Sequence, residues 1–272
     1  MSTAASDAGA AVRFESVEKQ LGGKQILRGL SFEVPRGTSF VIMGPSGSGK
    51  SVTLKHIVGI LAPDAGRVLV FGREPGQLSR SELASLRSRI GLLFQDGALI
   101  NWMNLEDNVA LPLREVQRLP EREVRPRVAE ALERVHLADA AQKMPSEISG
   151  GMRKRAALAR AIVSRPELLL YDEPDAGLDP ATGGSINRLI RRVQRELGAT
   201  GVIVTHSRSC ALTVGDRIGI FEQGRMASEG TAEEMATSSD PRVRIYLGID
   251  GEATTERSDS RGAEHGTGAT GR

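Results

Sequence analysis

The chain has 272 residues, a formal net charge of +2 and an aromatic content of only 3%. Such a length holds one large α/β domain, or a domain with a subdomain and tails. The near-balanced charge argues for neither a nucleic-acid groove nor an acidic substrate, and few rings are present on which bases could stack, so no nucleic-acid partner is expected.

The single cysteine, Cys210, excludes an internal disulfide and reads as a small buried residue in a reducing compartment. No apolar run approaches the length of a bilayer span. The opening MSTAASDAGAA has neither the basic start nor the apolar core of a signal peptide, so a cytosolic chain is expected, with any membrane contact made through a partner.

Residues 1–10 are small and polar and are expected to be disordered. Val12–Val17 alternates as an edge strand and Leu30–Val34 as another, with a turn at Gly22-Gly23 between them. Ser39–Met43 is an apolar run that reads as a buried strand, followed by a glycine-rich turn and a helix opening at Lys50–Ser51. Gly44, Gly49, Lys50 and Ser51 satisfy the pattern G-x-x-x-x-G-K-[ST] in the strand–loop–helix context that gives it meaning. A loop built from Gly44, Pro45, Ser46, Gly47, Ser48 and Gly49, running into Lys50, Ser51 and Val52, turns backbone N–H groups and a helix N-terminus toward phosphate. Lys50 would reach the β- and γ-phosphates, and the Ser51 hydroxyl would take one Mg²⁺ position.

Pro63-Asp64-Ala65-Gly66 makes a turn into a strand at Arg67–Phe71. Ser79 and Glu82 offer a capping box for a short helix over Glu82–Arg87, and Ile90–Phe94 reads as another buried strand ending at Gln95. Residues 97–165 then change character. Val128, Ala131, Leu132 and Val135 recur at helical spacing, and Pro112, Pro120 and Pro145 cut the region into short helices. This stretch is expected to be a helical subdomain inserted into a sheet domain. Strands resume at Glu167–Tyr171, Val202–Thr205 and Ile218–Phe221, the alternation of a mostly parallel sheet. Arg188, Arg191, Arg192 and Arg195 form a stripe that reads as a solvated helix face. Thr231 with Glu234 makes a second capping box, Asp240-Pro241 opens a last helix through Leu247, and 251–272 has the composition of a disordered tail. No internal repeat is present, so the chain carries one nucleotide domain.

The strand Leu168–Tyr171 ends in two carboxylates, Asp172 and Glu173. Beside a phosphate loop, a strand-end aspartate serves the Mg²⁺ shell and the next glutamate is free to polarise a water. Ile148-Ser149-Gly150-Gly151-Met152, ahead of the helix RKRAALARAI, resembles the signature motif of ATP-binding cassette (ABC) ATPases, with Ile148 and Met152 where the family commonly has Leu and Gln. Ala176–Pro180 resembles the family's D-loop, His206 its switch histidine and Gln95 its Q-loop glutamine.

The resemblance covers about residues 12 to 230. It implies a P-loop NTPase fold of the ABC ATPase type within the α/β class: a mostly parallel sheet core, an antiparallel β edge and an inserted helical subdomain, all within 11–250. It further implies ATP and Mg²⁺ as cofactors, with Ser51, Gln95 and Asp172 around the metal. Glu173 and His206 would act at the γ-phosphate, and Ser149, Gly150 and Gly151 would bind ATP across a head-to-tail homodimer. Leu21 stands where the family commonly stacks adenine on an aromatic ring, and Ser207 stands where Asp is more frequent.

The text around Gln95 (LFQDGAL, MNLEDNVA and PLRE), GGMRKRAALARAI, EPDAGLDP and Asp240-Pro241-Arg242-Val243-Arg244 resemble ATPase subunits of Mla- and Mce-type lipid transporters. That subfamily implies a peripheral subunit on the cytoplasmic face of the inner membrane. Its partners would be an MlaE/YrbE-type integral membrane permease and, through the complex, MCE-domain lipid-binding proteins. The alternatives are the ATPase of another ABC importer or exporter, or a soluble non-transport cassette. The latter usually carries tandem cassettes or a long coiled coil, for which the stretch between Ser51 and Asp172 is too short. Gly97–Asn108 is the expected permease contact, through Trp102 and Met103 above all, with Leu99 and Ile100 shared between that face and the core.

Overall fold

The computed structural model describes residues 9–249, so the tail expected over 251–272 lies outside the described residues. Two sheets make the frame. The first is antiparallel and three-stranded, with β1 (Ala10–Leu21) between β2 (Lys24–Pro35) and β4 (Ala65–Val70). Two expectations change here. β1 is a central strand rather than an edge, and it begins at Ala10, inside the stretch expected to be disordered. Ala10 and Ala11 are buried; Ala10 pairs with Pro35, and the Ala11 carbonyl accepts from the Phe71 N–H. Small side chains suffice where two strands close over them.

The second sheet has six strands in the order β5 (Ile90–Leu93), β6 (Leu168–Asp172), β7 (Thr200–Thr205), β3 (Ser39–Met43), β8 (Arg217–Glu222) and β9 (Arg225–Thr231). All neighbours are parallel except β9, which returns antiparallel to β8 at the edge. Buried on both faces, these strands are continuously apolar, and alternate residues serve alternate faces. Phe40, Ile42, Leu168, Leu170, Val202 and Val204 pack toward the three-stranded sheet and α1 (Lys50–Ile57). Val41, Met43, Leu169, Tyr171 and Ile203 pack toward the helices on the other side. Phe14, Phe32 and Phe40 bind the sheets together, with ring centroids 4.6 Å and 5.4 Å apart in successive stacked pairs.

α2 (Arg80–Arg87) carries the expected capping box, with Ser79 accepting from the Glu82 N–H and Glu82 from the Ser79 N–H. Between β5 and β6 the chain is helical: α3 (Leu105–Leu111), a π-helical turn over Pro112–Val116, α4 (Glu121–Arg134) and α5 (Gly150–Ile162). Val128, Ala131, Leu132 and Val135 are all buried, as their spacing required. After β6 come α6 (Pro180–Leu197), α7 (Arg208–Val214), α8 (Ala232–Ala236) and α9 (Pro241–Leu247). The arginine stripe on α6 is only partly solvated. Arg191 binds the Asp216 carboxylate and the Val214 carbonyl, and Arg192 reaches the Arg134 carbonyl and His136.

Candidate active site

Three adjacent strands, β6, β7 and β3, end at the same level and deliver the site. Met43 pairs with Thr205 and Asp172 with Val204, so the phosphate loop, the two carboxylates and His206 leave the sheet side by side. The phosphate loop can only be built with glycine at two points. A Cβ on Gly44 would collide with the Phe221 carbonyl, and Gly49 has φ +103° with Ile26 Cγ2 at 2.5 Å from where a Cβ would sit. Gly49 is the N-cap of α1 and no side chain caps that helix, which leaves its first N–H groups for an outside acceptor. Ser48 Oγ, also in the loop, is buried without a partner. An uncapped helix N-terminus beside an orphaned buried hydroxyl fits a phosphate chain.

Lys50 is 5% exposed and folds over the loop, donating to the Gly44 and Pro45 carbonyls at 2.8 and 2.9 Å. Burial lowers the pKa of its ammonium against the opposing pull of Glu173, whose carboxylate lies 3.6 Å away. The Ser51 hydroxyl donates to Asp172 Oδ1 at 2.9 Å. Burial raises the Asp172 pKa, and the Ser51 bond works against that rise. Together they offer hard oxygen donors of the kind a divalent cation prefers.

Glu173 is 8% exposed and has φ +46°, a left-handed conformation that a non-glycine residue keeps only when its surroundings impose it. They do so from several directions. Its N–H donates to the Val204 carbonyl at 2.9 Å, and its Oε2 accepts from Thr205 Oγ1 and the His206 N–H. His206 Nδ1 lies 2.9 Å from the same oxygen.

Other expected residues stand apart. Among the described residues the Gln95 side chain is exposed and makes no hydrogen bond to Ser51 or Asp172; only its carbonyl is bound, by Lys154. Ser149 caps α5 through the Met152 N–H, while Gly150 and Gly151 lie against Leu178 and Thr182 at the start of α6. Among the described residues Ser149–Gly151 thus lie against residues 178 and 182 of their own chain and make no hydrogen bond to the loop 44–49. Leu21 sits 37% exposed at the end of β1.

Three features escape a reading of the sequence. Ile26 is the wall of the phosphate loop at Gly49. Asp175 accepts from Ser207 Oγ at 2.7 Å and Asn187 Nδ2 at 3.0 Å, tying the D-loop to the segment after His206. Lys154 lies buried between Gln95 and Glu173. For Lys154 a signal exists: it shares a helix face with Ala157, Leu158 and Ala161, all buried.

The profile of the ABC transporter family matches residues 27–176. The "Probable ribonucleotide transport ATP-binding protein mkl" of Mycobacterium leprae is 43% identical over 239 residues, 88% of this chain and 69% of that protein. The "Intermembrane phospholipid transport system ATP-binding protein MlaF" of Escherichia coli K12 is 44% identical over 226 residues, 83% of this chain and 84% of that protein. Among solved structures, the dimeric ATP-binding cassette MJ0796, bound to ADP and Pi in a post-hydrolysis state, is similar with TM-score 0.73 and 33% identity over 81% of this chain and 98% of that one. The cbiO1 subunit of Clostridium perfringens, part of the transporter complex cbiONQ, gives 0.78 and 31% over 89% and 98%. With likeness of this extent in both sequence and structure, the chain belongs to the ABC transporter family and is one of its ATP-hydrolysing cassettes.

Proposed function

We propose that the chain powers an Mla/Mce-type transporter that moves phospholipid or another hydrophobic lipid across or between membranes. The two relatives are named for different cargo, ribonucleotide for one and phospholipid for the other. The observation that carries the lipid reading is the MlaF likeness, which extends over 84% of that protein, far beyond the nucleotide motifs.

In this reading Lys50 and the amides that open α1 bind the phosphates of ATP. Glu173, fixed by Thr205 and His206, orients and polarises the attacking water, and His206 contacts the γ-phosphate. Mg²⁺, when bound, neutralises phosphate charge; Ser51, Asp172 and Gln95 would hold it. Ser149–Gly151 serve the site of a second copy, which fits their separation from the phosphate loop within one chain. Residues 97–165 act as a subdomain that carries this signature and the permease contact.

Among the described residues no helix is long and apolar enough to cross a membrane, so coupling requires docking. Trp102 is 78% exposed, and two residues before it Ile100 lines a cleft together with Leu92, Phe94 and Pro112, on the strand that leads to Gln95 and the segment after it. Leu99 and Met103 are half-buried, with Leu99 packed on the core. Apolar surface of this kind suits a permease loop on the cytoplasmic face of the inner membrane.

The test is co-expression with an MlaE/YrbE-type permease and MCE-domain proteins, followed by reconstitution with labelled phospholipid or labelled ribonucleotide. ATP-dependent lipid movement is expected, together with loss of permease co-purification in Trp102→Ala while ATP binding by the isolated subunit persists. Movement of ribonucleotide alone, or association only with a solute permease, would overturn the lipid reading.

A further inference from the structure

The helix that begins with the signature carries three successive cations, and they do different things. Arg153 is exposed and its guanidinium donates to the Ile148 carbonyl at 3.1 Å, closing the turn before the helix. Arg155 points to the opposite side, toward His136. Lys154 alone turns inward and is 6% exposed. Its Nζ donates to the carbonyl of Gln95 and, at 3.3 Å, to the carbonyl of Glu173.

Both acceptors are main-chain atoms. Asp96, Asp175, Glu173 and Asp172 surround the ammonium at longer range, and burial lowers its pKa despite them. A buried lysine that only filled space would cost free energy that an apolar side chain avoids. Here it spans two chain segments that no strand pairing joins: the one leaving β5 and the one leaving β6.

The second contact bears on Glu173 directly. The strained backbone of that residue is fixed at its N–H by Val204 and at its carboxylate by Thr205 and His206, all from β7 and its end. Its carbonyl accepts from the Ala176 N–H at 3.2 Å within its own loop and, as the one contact from another element, from Lys154 at 3.3 Å, on the helix that Ser149 caps. About 7 Å of helix separates Ser149 from Lys154, so a displacement of the signature reaches the carbonyl through a rigid element.

We propose that Lys154 is a positioning residue for ATP hydrolysis, joining the signature helix to the backbone of Glu173 and Gln95 so that the water-polarising carboxylate is aimed only when α5 is in place. The proposal rests on the reading of Glu173 as that carboxylate. It gives the cation a role in turnover and none in nucleotide affinity, since it touches neither the phosphate loop nor α1.

The test uses the purified full-length chain, with steady-state ATP hydrolysis, binding of a fluorescent ATP analogue and thermal melting. Lys154→Met should lower kcat by about tenfold or more, since a misplacement of about 1 Å can cost about a hundredfold, while KM and analogue affinity stay near wild type. Lys154→Arg, which can still donate to both carbonyls, should recover most of the lost kcat. Should the methionine variant not fold, Lys154→Gln, with one amide donor, carries the same comparison.

Wild-type kcat in Lys154→Met, a rise in KM equal to the fall in kcat, or an arginine variant as slow as the methionine one would each overturn the role. Glu173→Gln, measured beside them, separates the two readings. If it is inactive while Lys154→Met turns over normally, only the positioning role falls; if it turns over normally, the reading of Glu173 falls first.

Discussion

Ser207 stands where cassettes more often have aspartate, and its hydroxyl donates to Asp175 at 2.7 Å. Ser207→Asp should therefore be harmful here. The change keeps the helix cap, because Ser207 accepts from the Cys210 N–H at the start of α7 and aspartate caps as well as serine. What changes is the pairing. Two carboxylates about 4 Å apart repel by about 4 kcal/mol at an effective dielectric of about 20. Both residues are half-buried, and rotation toward water relieves about half of that, leaving about 2 kcal/mol. In a domain of this size that lowers the melting temperature by about 4–8 °C. Such a pair binds protons more tightly folded than unfolded, so the deficit is present at neutral pH. It shrinks as pH falls toward the carboxylate range near about 4. Melting the variant and wild type from pH 5 to 8 measures both the size and the slope. Adding Asp175→Asn removes one charge and should restore the melting temperature at pH 7.5. A Ser207→Asp protein that melts with wild type across this range, or no recovery in the double variant, would refute the account.

Glu173→Gln should keep nucleotide binding and lose about 10²–10⁴-fold in kcat, since the amide can still accept from Thr205 and His206 but cannot take a proton; isothermal binding and phosphate release check the two halves. Leu21→Tyr should tighten ATP by about 1–3 kcal/mol through stacking on adenine, and equal affinity in titrations of the two proteins would place another residue on the base. Mixed dimers test the shared site. Lys50→Ala in one chain with Ser149→Arg in the other should leave one intact nucleotide site, whereas both changes in one chain should damage both sites. Equal occupancy in the two arrangements would contradict a signature acting on its partner.

Much of this site can be read from the chain because its residues follow strands with no other plausible reading. Ser39–Met43 and Leu168–Asp172 are unbroken apolar runs, and the residues after each leave the sheet at one level. The helix Glu121–Arg134 is equally plain from the spacing of Val128, Ala131 and Leu132. β9 was not legible: Arg225–Thr231 holds only one fully buried residue, Gly230, and its turn uses Gln223 and Gly224 at positive φ instead of a common hairpin pair. The full length of β1 and β2 was hidden for a similar reason, since register shifts at Phe14/Val17 and Val17/Glu18 break their alternation. Within the site, roles carried by main-chain atoms were invisible. The spacing of Lys154 with Ala157, Leu158 and Ala161 marks it as inward-facing but not as the donor to two carbonyls, and the Asp175–Ser207 bond joins residues 32 apart in sequence.

The parallel sheet raises a question of its own about alignment. Leu168–Leu170 and Val202–Val204 are apolar on both faces, so sliding one strand past the next by a residue would bury as much oil as before. Yet a slip of one residue, about 3.3 Å, would carry Glu173 away from Thr205 and His206. Glycines supply the missing key. On β5, Gly91 admits the Ala161 carbonyl of α5 and a methyl of Leu169; on β7, Gly201 admits the Gln194 amide of α6; on β8, Gly219 admits Met226 and Phe40. Each notch accepts its tooth at one setting only, since the next residue along presents a side chain in the same space. Alanine at any of these distant notches should thus detune the alignment of carboxylate, lysine and histidine without touching one atom of the site.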